Sequence, residues 1–232
     1  MGKKITENGY LMHCSEECDL EGVKKAVKNG AKVNYKNKLG ETPLMKAVAG
    51  NCIDVVKYLL EEKAKVNAKN MWGNSVLMEA IVADADLEII KLLIEHGAYV
   101  NSTDKWLNTP LMEASRRGRL DIVKYLIEKG AKINALNRYD NTPLMAASEG
   151  IMGEGFIDIV KYLIEKGADI DVQDTVGETA LIKAAFRDNL DIVEYLIEKG
   201  ADASLRDVND YTALKKAQLA SAHRTADFLK TL

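Results

Sequence analysis

Apolar residues recur at helical spacing in five similar strings: DVVKYLLEEKAKVN, LEIIKLLIEHGAYVN, DIVKYLIEKGAKIN, DIVKYLIEKGADID and DIVEYLIEKGADAS. In the third, Ile122, Val123, Leu126 and Ile127 fall on one helical face, and Gly130 supplies the left-handed conformation that ends the helix. A shorter apolar run opens on T-P-L-M at residues 42–45, 109–112 and 142–145, with degraded copies SVLM at 75, TALI at 179 and TALK at 212. Thr42, Thr109 and Thr142 can cap a helix through the side-chain oxygen. Pro43, Pro110 and Pro143 then take the first helical position, where a missing N–H costs little. Successive openings are 33, 34, 33, 37 and 33 residues apart, so the pattern predicts a tandem array of helical hairpins. Helices of about ten residues cannot bury their apolar faces within one hairpin, and neighbouring hairpins must therefore stack into an elongated solenoid.

The segment YLMHCSEECDLEGVKKAVKNGAKVN fits the same frame, with Leu11 and Met12 aligned to the LM of the other copies. The frame divides the chain into an N-terminal capping repeat at 1–36, repeats at 37–69, 70–103, 104–136, 137–173 and 174–206, and a C-terminal capping repeat at 207–232. Lys25 and Lys215 replace residues that are apolar or aromatic in the internal copies, so both ends read as solvated caps of a complete array. Lys63 stands where glycine ends the other second helices, and a left-handed lysine costs about 1 kcal/mol relative to glycine. With Ser75-Val76 in place of Thr-Pro, this predicts that the first full repeat and its neighbour are the looser part.

Six positioned T-P-L-type starts, five of them followed by a matching second helix, make the sequence similar to ankyrin-repeat proteins. That family's unit is a β-turn followed by two antiparallel helices, with a T-P-L-H-x-A helix start. The resemblance spans nearly the whole chain. It implies an all-α ankyrin-repeat solenoid of about seven helix-turn-helix units joined by β-turns, caps included. The motif histidine is replaced by Met45, Met78, Met112, Met145, Ile182 and Lys215, which removes the side chain that bonds the turn in the family.

A content of 47% apolar and 29% charged residues suits a packed soluble core and excludes disordered, collagen-like and disulfide-dense classes. No apolar stretch approaches the roughly 18 residues of a membrane span, and MGKKITENGY has no apolar run to make a signal peptide. A formal charge of -3 gives no field to hold phosphate backbones, so neither nucleic acid nor a membrane is expected as a partner. Cys14, Cys18 and Cys52 are too few, and odd in number, for a disulfide framework, which fits a reducing compartment and a cytoplasmic placement.

No phosphate-binding loop, zinc-protease motif, serine-hydrolase elbow or paired CxxC motif is present. The glycine-rich EGIMGEGF, residues 149–156, falls between two helices and reads as a loop insertion. Cys14 aligns with the core alanines of the other repeats, so with His13 and Cys18 it reads as core and not as a metal ligand. Methionines 45, 78, 112 and 145 read as packing between repeats, and the tyrosines of KYLIE as core between second helices. Lys124 with Glu128 and Lys161 with Glu165 are expected as pairs that keep the outer helices soluble. No catalytic residues, cofactor or metal are expected.

Three residues before each helix start, the chain places Leu39, Trp72, Trp106, Tyr139 and Val176. The family resemblance puts this position in the projecting turn that contacts partners, and one large side chain per repeat would form a ladder of about 10 Å per step. The surrounding variable positions supply Lys38, Lys69, Lys105, Arg116, Arg117, Arg138, Arg187 and Arg206 against Glu41, Glu149 and Glu178. The expectation is a monomeric, non-catalytic module whose concave face holds an acidic and apolar segment of another protein. Trp72, Trp106 and Tyr139 would be its anchors and Arg116, Arg117 and Arg138 its charged donors, with Leu39 and Lys105 beside them. The competing readings are self-association through the same strip and, third, an enzyme.

Overall fold

A computed structural model describes residues 6–232, so the first five residues of the MGKKITENGY opening lie outside the described residues. Among the described residues every regular element is a helix, apart from an isolated antiparallel bridge between Lys69 and Ser75. The chain forms two compact units, residues 1–105 and 106–232. The first contains α1 (Glu7–Glu16), α2 (Leu20–Lys28), α3 (Pro43–Ala49), α4 (Ile53–Glu61), α5 (Val76–Val82) and α6 (Leu87–Glu95). The second contains α7 (Pro110–Arg116), α8 (Leu120–Glu128), α9 (Pro143–Glu149), α10 (Ile157–Glu165), α11 (Ala180–Phe186), α12 (Leu190–Glu198), α13 (Ala213–Leu219) and α14 (His223–Leu229).

Within each unit consecutive helices pair as hairpins, and the hairpins stack in register. In the first, α1, α3 and α5 form one row and α2, α4 and α6 the other. In the second, α7, α9, α11 and α13 face α8, α10, α12 and α14 in the same manner.

Local chemistry sets the helix starts. Thr42, Ser75, Thr109, Thr142, Thr179 and Thr212 each accept a hydrogen bond from the third backbone N–H of their helix at 3.1 to 3.4 Å. Ser75 does this without the usual proline behind it. Met45, Met78, Met112 and Met145 are at most 4% exposed, which identifies them as packing between hairpins. Lys25 and Lys215 are exposed.

The outer helices end on a shared turn. Gly130 has φ 86, and the N–H of Ala131 reaches back to the carbonyl of Leu126 at 2.9 Å. Lys63 takes the same role with φ 62, and Ala64 bonds to Leu59 at 2.9 Å. A Cβ at Gly130 would meet open space, so the cost of lysine there is one of backbone conformation and not of crowding.

Two sequence expectations are corrected. Tyr58, Tyr125, Tyr162 and Tyr195 are half-buried on the outer row, not core. In the second unit lysines cover them: Lys124 and Lys166 lie 5.6 and 5.4 Å from the ring of Tyr162, and Lys161 and Lys199 lie 5.6 and 5.1 Å from that of Tyr195. A long aliphatic stem with a cationic head suits a ring that is half wet. Second, Cys18 and Cys52 form a disulfide, with Cα atoms 5.0 Å apart, while Cys14 is free and buried. The argument for a reducing compartment rested on the absence of such a bridge and loses that ground.

The insertion lies between α9 and α10 as expected and contains a 3-10 turn at Ile151–Gly153. The ring of Phe156 packs where a Cβ at Gly118 would stand, which fixes the base of the insertion. Met152 at its tip has φ 60 and is 97% exposed.

Candidate functional site

The projecting turns are built by a residue that the tip pattern overlooked. Five positions before five of the six helix starts, an Asn or Asp folds its side-chain oxygen back over the turn. Asn70 Oδ1 accepts from the N–H of Trp72 and of Asn74 at 3.0 and 3.1 Å. Asn37, Asn137, Asp174 and Asp207 do the same for the tip residues Leu39, Tyr139, Val176 and Asn209.

Each tip carbonyl is then tied to the following turn. In the first unit Leu39 accepts from the N–H of Met71 at 2.8 Å, and Trp72 from that of Lys105 at 3.1 Å. In the second unit Trp106 accepts from Arg138 at 2.8 Å, Tyr139 from Thr175 at 3.0 Å and Val176 from Val208 at 3.0 Å. The tip side chains stay in solvent: Trp72 is 39% exposed, Trp106 40% and Tyr139 52%. Leu39 and Val176 are exposed as well.

At Asn70, Asp174 and Asp207 the same side chain also reaches the inner helix nine residues on. In the second unit Asp174 meets Lys183 at 2.8 Å, and Asp207 meets Lys216 at 2.9 Å. Glu178 bridges both lysines. Burial opposes the charge of Lys183, but its hydrogen bond to Asp174 and the charges of Asp174 and Glu178 outweigh that and raise its pKa. Burial likewise works against the Asp207 carboxylate, yet Lys216 and the backbone N–H groups of Tyr211 and Asn209 hold its pKa below the usual range. In the first unit Asn70 donates to Glu79 at 3.0 Å, and burial, reinforced by Glu41, pushes the Glu79 pKa up against the bonds from Asn74 and Asn70 and the charge of Lys46.

The expected excess of free base shrinks on inspection. Arg116 and Arg117 both grip Glu113, at 2.7 and 2.5 Å. Glu113 is 9% exposed and lay outside the positions counted in the sequence. Arg187 pairs with Glu149 at 2.6 Å, Arg206 with Asp210 at 3.0 Å, and Lys69 donates to the carbonyl of Thr103. Lys38, Lys105 and Arg138 are exposed, and among the described residues no ion pair engages them. Ala146 holds the position that Glu113 and Lys183 fill on the helices to either side. A cavity of about 330 Å³ opens over it, walled by Asn108, Asn137, Asn141, Arg116 and Glu149.

Among the described residues no group of three His, Cys, Asp or Glu side chains is placed to hold a metal, and no helix is long and apolar enough to cross a membrane. A family model described as "Ankyrin repeats (3 copies)" matches residues 11–104, 85–174 and 151–231. The chain belongs to the ankyrin-repeat family. Among solved structures, the ankyrin-repeat domain of human ASB11 is similar at 25% identity and a TM-score of 0.82, over 94% of this chain and 96% of that one. None of the curated proteins matches. Ankyrin repeats are generally protein–protein interaction modules, and their fold is typically non-catalytic. This ankyrin-repeat chain departs from the family motif at the histidine and keeps the hairpin packing within each unit.

Proposed function

We propose that the chain is a monomeric, non-catalytic module that captures an acidic and apolar segment of another protein on its turn tips and inner helices. The observation that carries this reading is the pairing of each tryptophan with a base. The carbonyl of Trp72 is held by the N–H of Lys105, and that of Trp106 by the N–H of Arg138. Lys105 and Arg138 are both exposed, and each is joined through the backbone to a tryptophan that is about two-fifths exposed. An aromatic anchor next to an uncommitted cation favours a ligand with apolar and acidic groups side by side. Arg116 and Arg117 drop to a supporting role, since Glu113 already engages both.

The test is quantitative binding of a partner captured with the intact chain. Trp106→Ala should weaken it by about 2 kcal/mol or more with the helical dichroism unchanged. Arg138→Ala should mainly slow association and flatten its salt dependence. Lys124→Ala, on the outer row, is the control. Retained binding by Trp106→Ala and Arg138→Ala together with loss in the control would place the site on the outer helices. A concentration-dependent mass in light scattering that Trp106→Ala abolishes would replace partner capture with self-association.

A further inference from the structure

Neither bridging cysteine is what its local backbone requires. Cys18 is the left-handed residue between α1 and α2, with φ 59. The corresponding positions in other hairpins hold Asn51, Asp84, Gly118, Asp188 and Ser221, at φ between 56 and 74. Gly, Asn and Asp are the residues that tolerate this conformation best, and cysteine brings no such advantage. Cys52 stands at the N-cap of α4 and makes no capping bond, as Arg119, Phe156 and Ala222 make none at the same place in other hairpins, so nothing local calls for a cysteine there. Cys18, whose backbone favours other residues, meets Cys52, which no local bond explains, across 34 residues. The pairing is what the two residues share.

We propose that the Cys18–Cys52 bridge is a thiol–disulfide exchange site that clamps the α1/α2 hairpin onto the α3/α4 hairpin and releases it to a dithiol reductant. The inference is independent of the binding reading above. Cys18 is exposed and Cys52 is 3% exposed, and a groove of about 240 Å³ lined by Leu20, Asn51, Ile53 and Asp54 runs beside the bridge. A thiolate of the reductant attacks Sγ of Cys18, the bond between the two sulfurs breaks, and Cys52 leaves as a thiolate that takes up a proton. The second thiol of the reductant, as thiolate, then displaces Cys18 from the mixed disulfide. The dithiol ends as a disulfide, and its two electrons and two protons reside on Cys18 and Cys52.

The carbonyls of Gly50 and Glu16 lie 3.5 and 3.7 Å from the two sulfurs and can accept the new S–H groups. Cys14 stays out of the exchange. It is 2% exposed, and burial pushes its thiol pKa up, so little thiolate is present to reshuffle the bridge. Once the bridge opens, the first hairpin is held by helix packing, by the Lys46–Glu16 ion pair at 3.4 Å and by Asn34, whose side chain spans the N–H of Lys65 and the carbonyl of Lys63.

The experiment uses the full chain after treatment with oxidised glutathione. Denatured without reductant it should titrate one thiol, and after dithiothreitol three, matching Cys14 alone and then all three cysteines. Reduction should lower the thermal midpoint by about 5 °C and raise amide exchange in residues 6–36 by roughly tenfold, both reversed on reoxidation. Cys18→Ser copies the serine found at Ser221 and should fold. It should exchange at the reduced parent's rate with or without dithiothreitol. Three thiols in the glutathione-treated chain would overturn the proposal. So would exchange in residues 6–36 that reduction leaves unchanged, or a reductant effect on Cys18→Ser as large as on the parent.

Discussion

Asn70 in the first unit reaches its inner helix as a neutral amide donating to Glu79, whereas Asp174 and Asp207 in the second reach theirs as carboxylates on Lys183 and Lys216. The backbone frame is the same. The electrostatics differ, because Asp174 and Asp207 meet their lysines directly, while burial and Glu41 raise the Glu79 pKa and Lys46, itself paired with Glu41 at 3.3 Å, only partly offsets them. A repeat fold thus fixes where a side chain must reach and leaves open what chemistry meets it. Stability then varies from hairpin to hairpin under one apolar pattern.

The sharpest way to break the contrast is Asp174→Ala. It leaves Lys183, whose side chain is 11% exposed, without its closest partner, and takes the acceptor from the N–H groups of Val176 and Glu178. A loss of about 3 kcal/mol in chemical denaturation is expected, the scale for breaking a buried pair. A loss below 1 kcal/mol would mean that Glu178 alone suffices for Lys183. On the other side of the comparison, Lys63→Gly should stabilise the first unit by up to about 1 kcal/mol, since lysine there strains only the backbone. An unchanged denaturation midpoint would show that this turn is already relaxed.

Glu79→Gln is the smallest change and carries a sign. The folded-state pKa of Glu79 is raised, so its ionisation works against folding as pH climbs through that raised value. Glutamine should therefore stabilise by about 0.5 kcal/mol at pH 7, and the gain should vanish below the ordinary glutamate pKa, where both states of the parent are protonated. Asp207 behaves in the opposite sense. Its depressed pKa contributes stability above the ordinary aspartate range that is lost as pH falls through the folded value. Acid should thus loosen the second unit's clamp while relieving the first unit's.

The stack was legible because it rests on short-range signals. Thr109 before Pro110, the Ile122 to Ile127 stripe and Gly130 each declare a helix start, a buried face or a helix end within a few residues. Even the left-handed Lys63 could be read by comparison with its siblings. What stayed hidden depends on distance across the fold. The Asp174–Lys183 clamp closes only when a turn folds back nine residues onto its helix. The Cys18–Cys52 bridge joins neighbouring hairpins, and counting cysteines argued against it. The family resemblance puts Trp106 and Tyr139 on turns, but the bases around them sort into bound and free only with Glu113 between Arg116 and Arg117.

The turns have one more consequence. Tyr139 has its own N–H fastened by Asn137 and its carbonyl by Thr175, so its main chain is tied on both sides before any ligand arrives. Capture of a partner need not freeze that segment, and the entropy lost on binding falls mainly on the ring and on the incoming chain. Rearranging which side chains sit on such tips changes what is bound while leaving the rigidity of the display untouched. Each tip can therefore be exchanged for another residue at little structural cost, which makes the turn row the cheapest place in the molecule for specificity to drift.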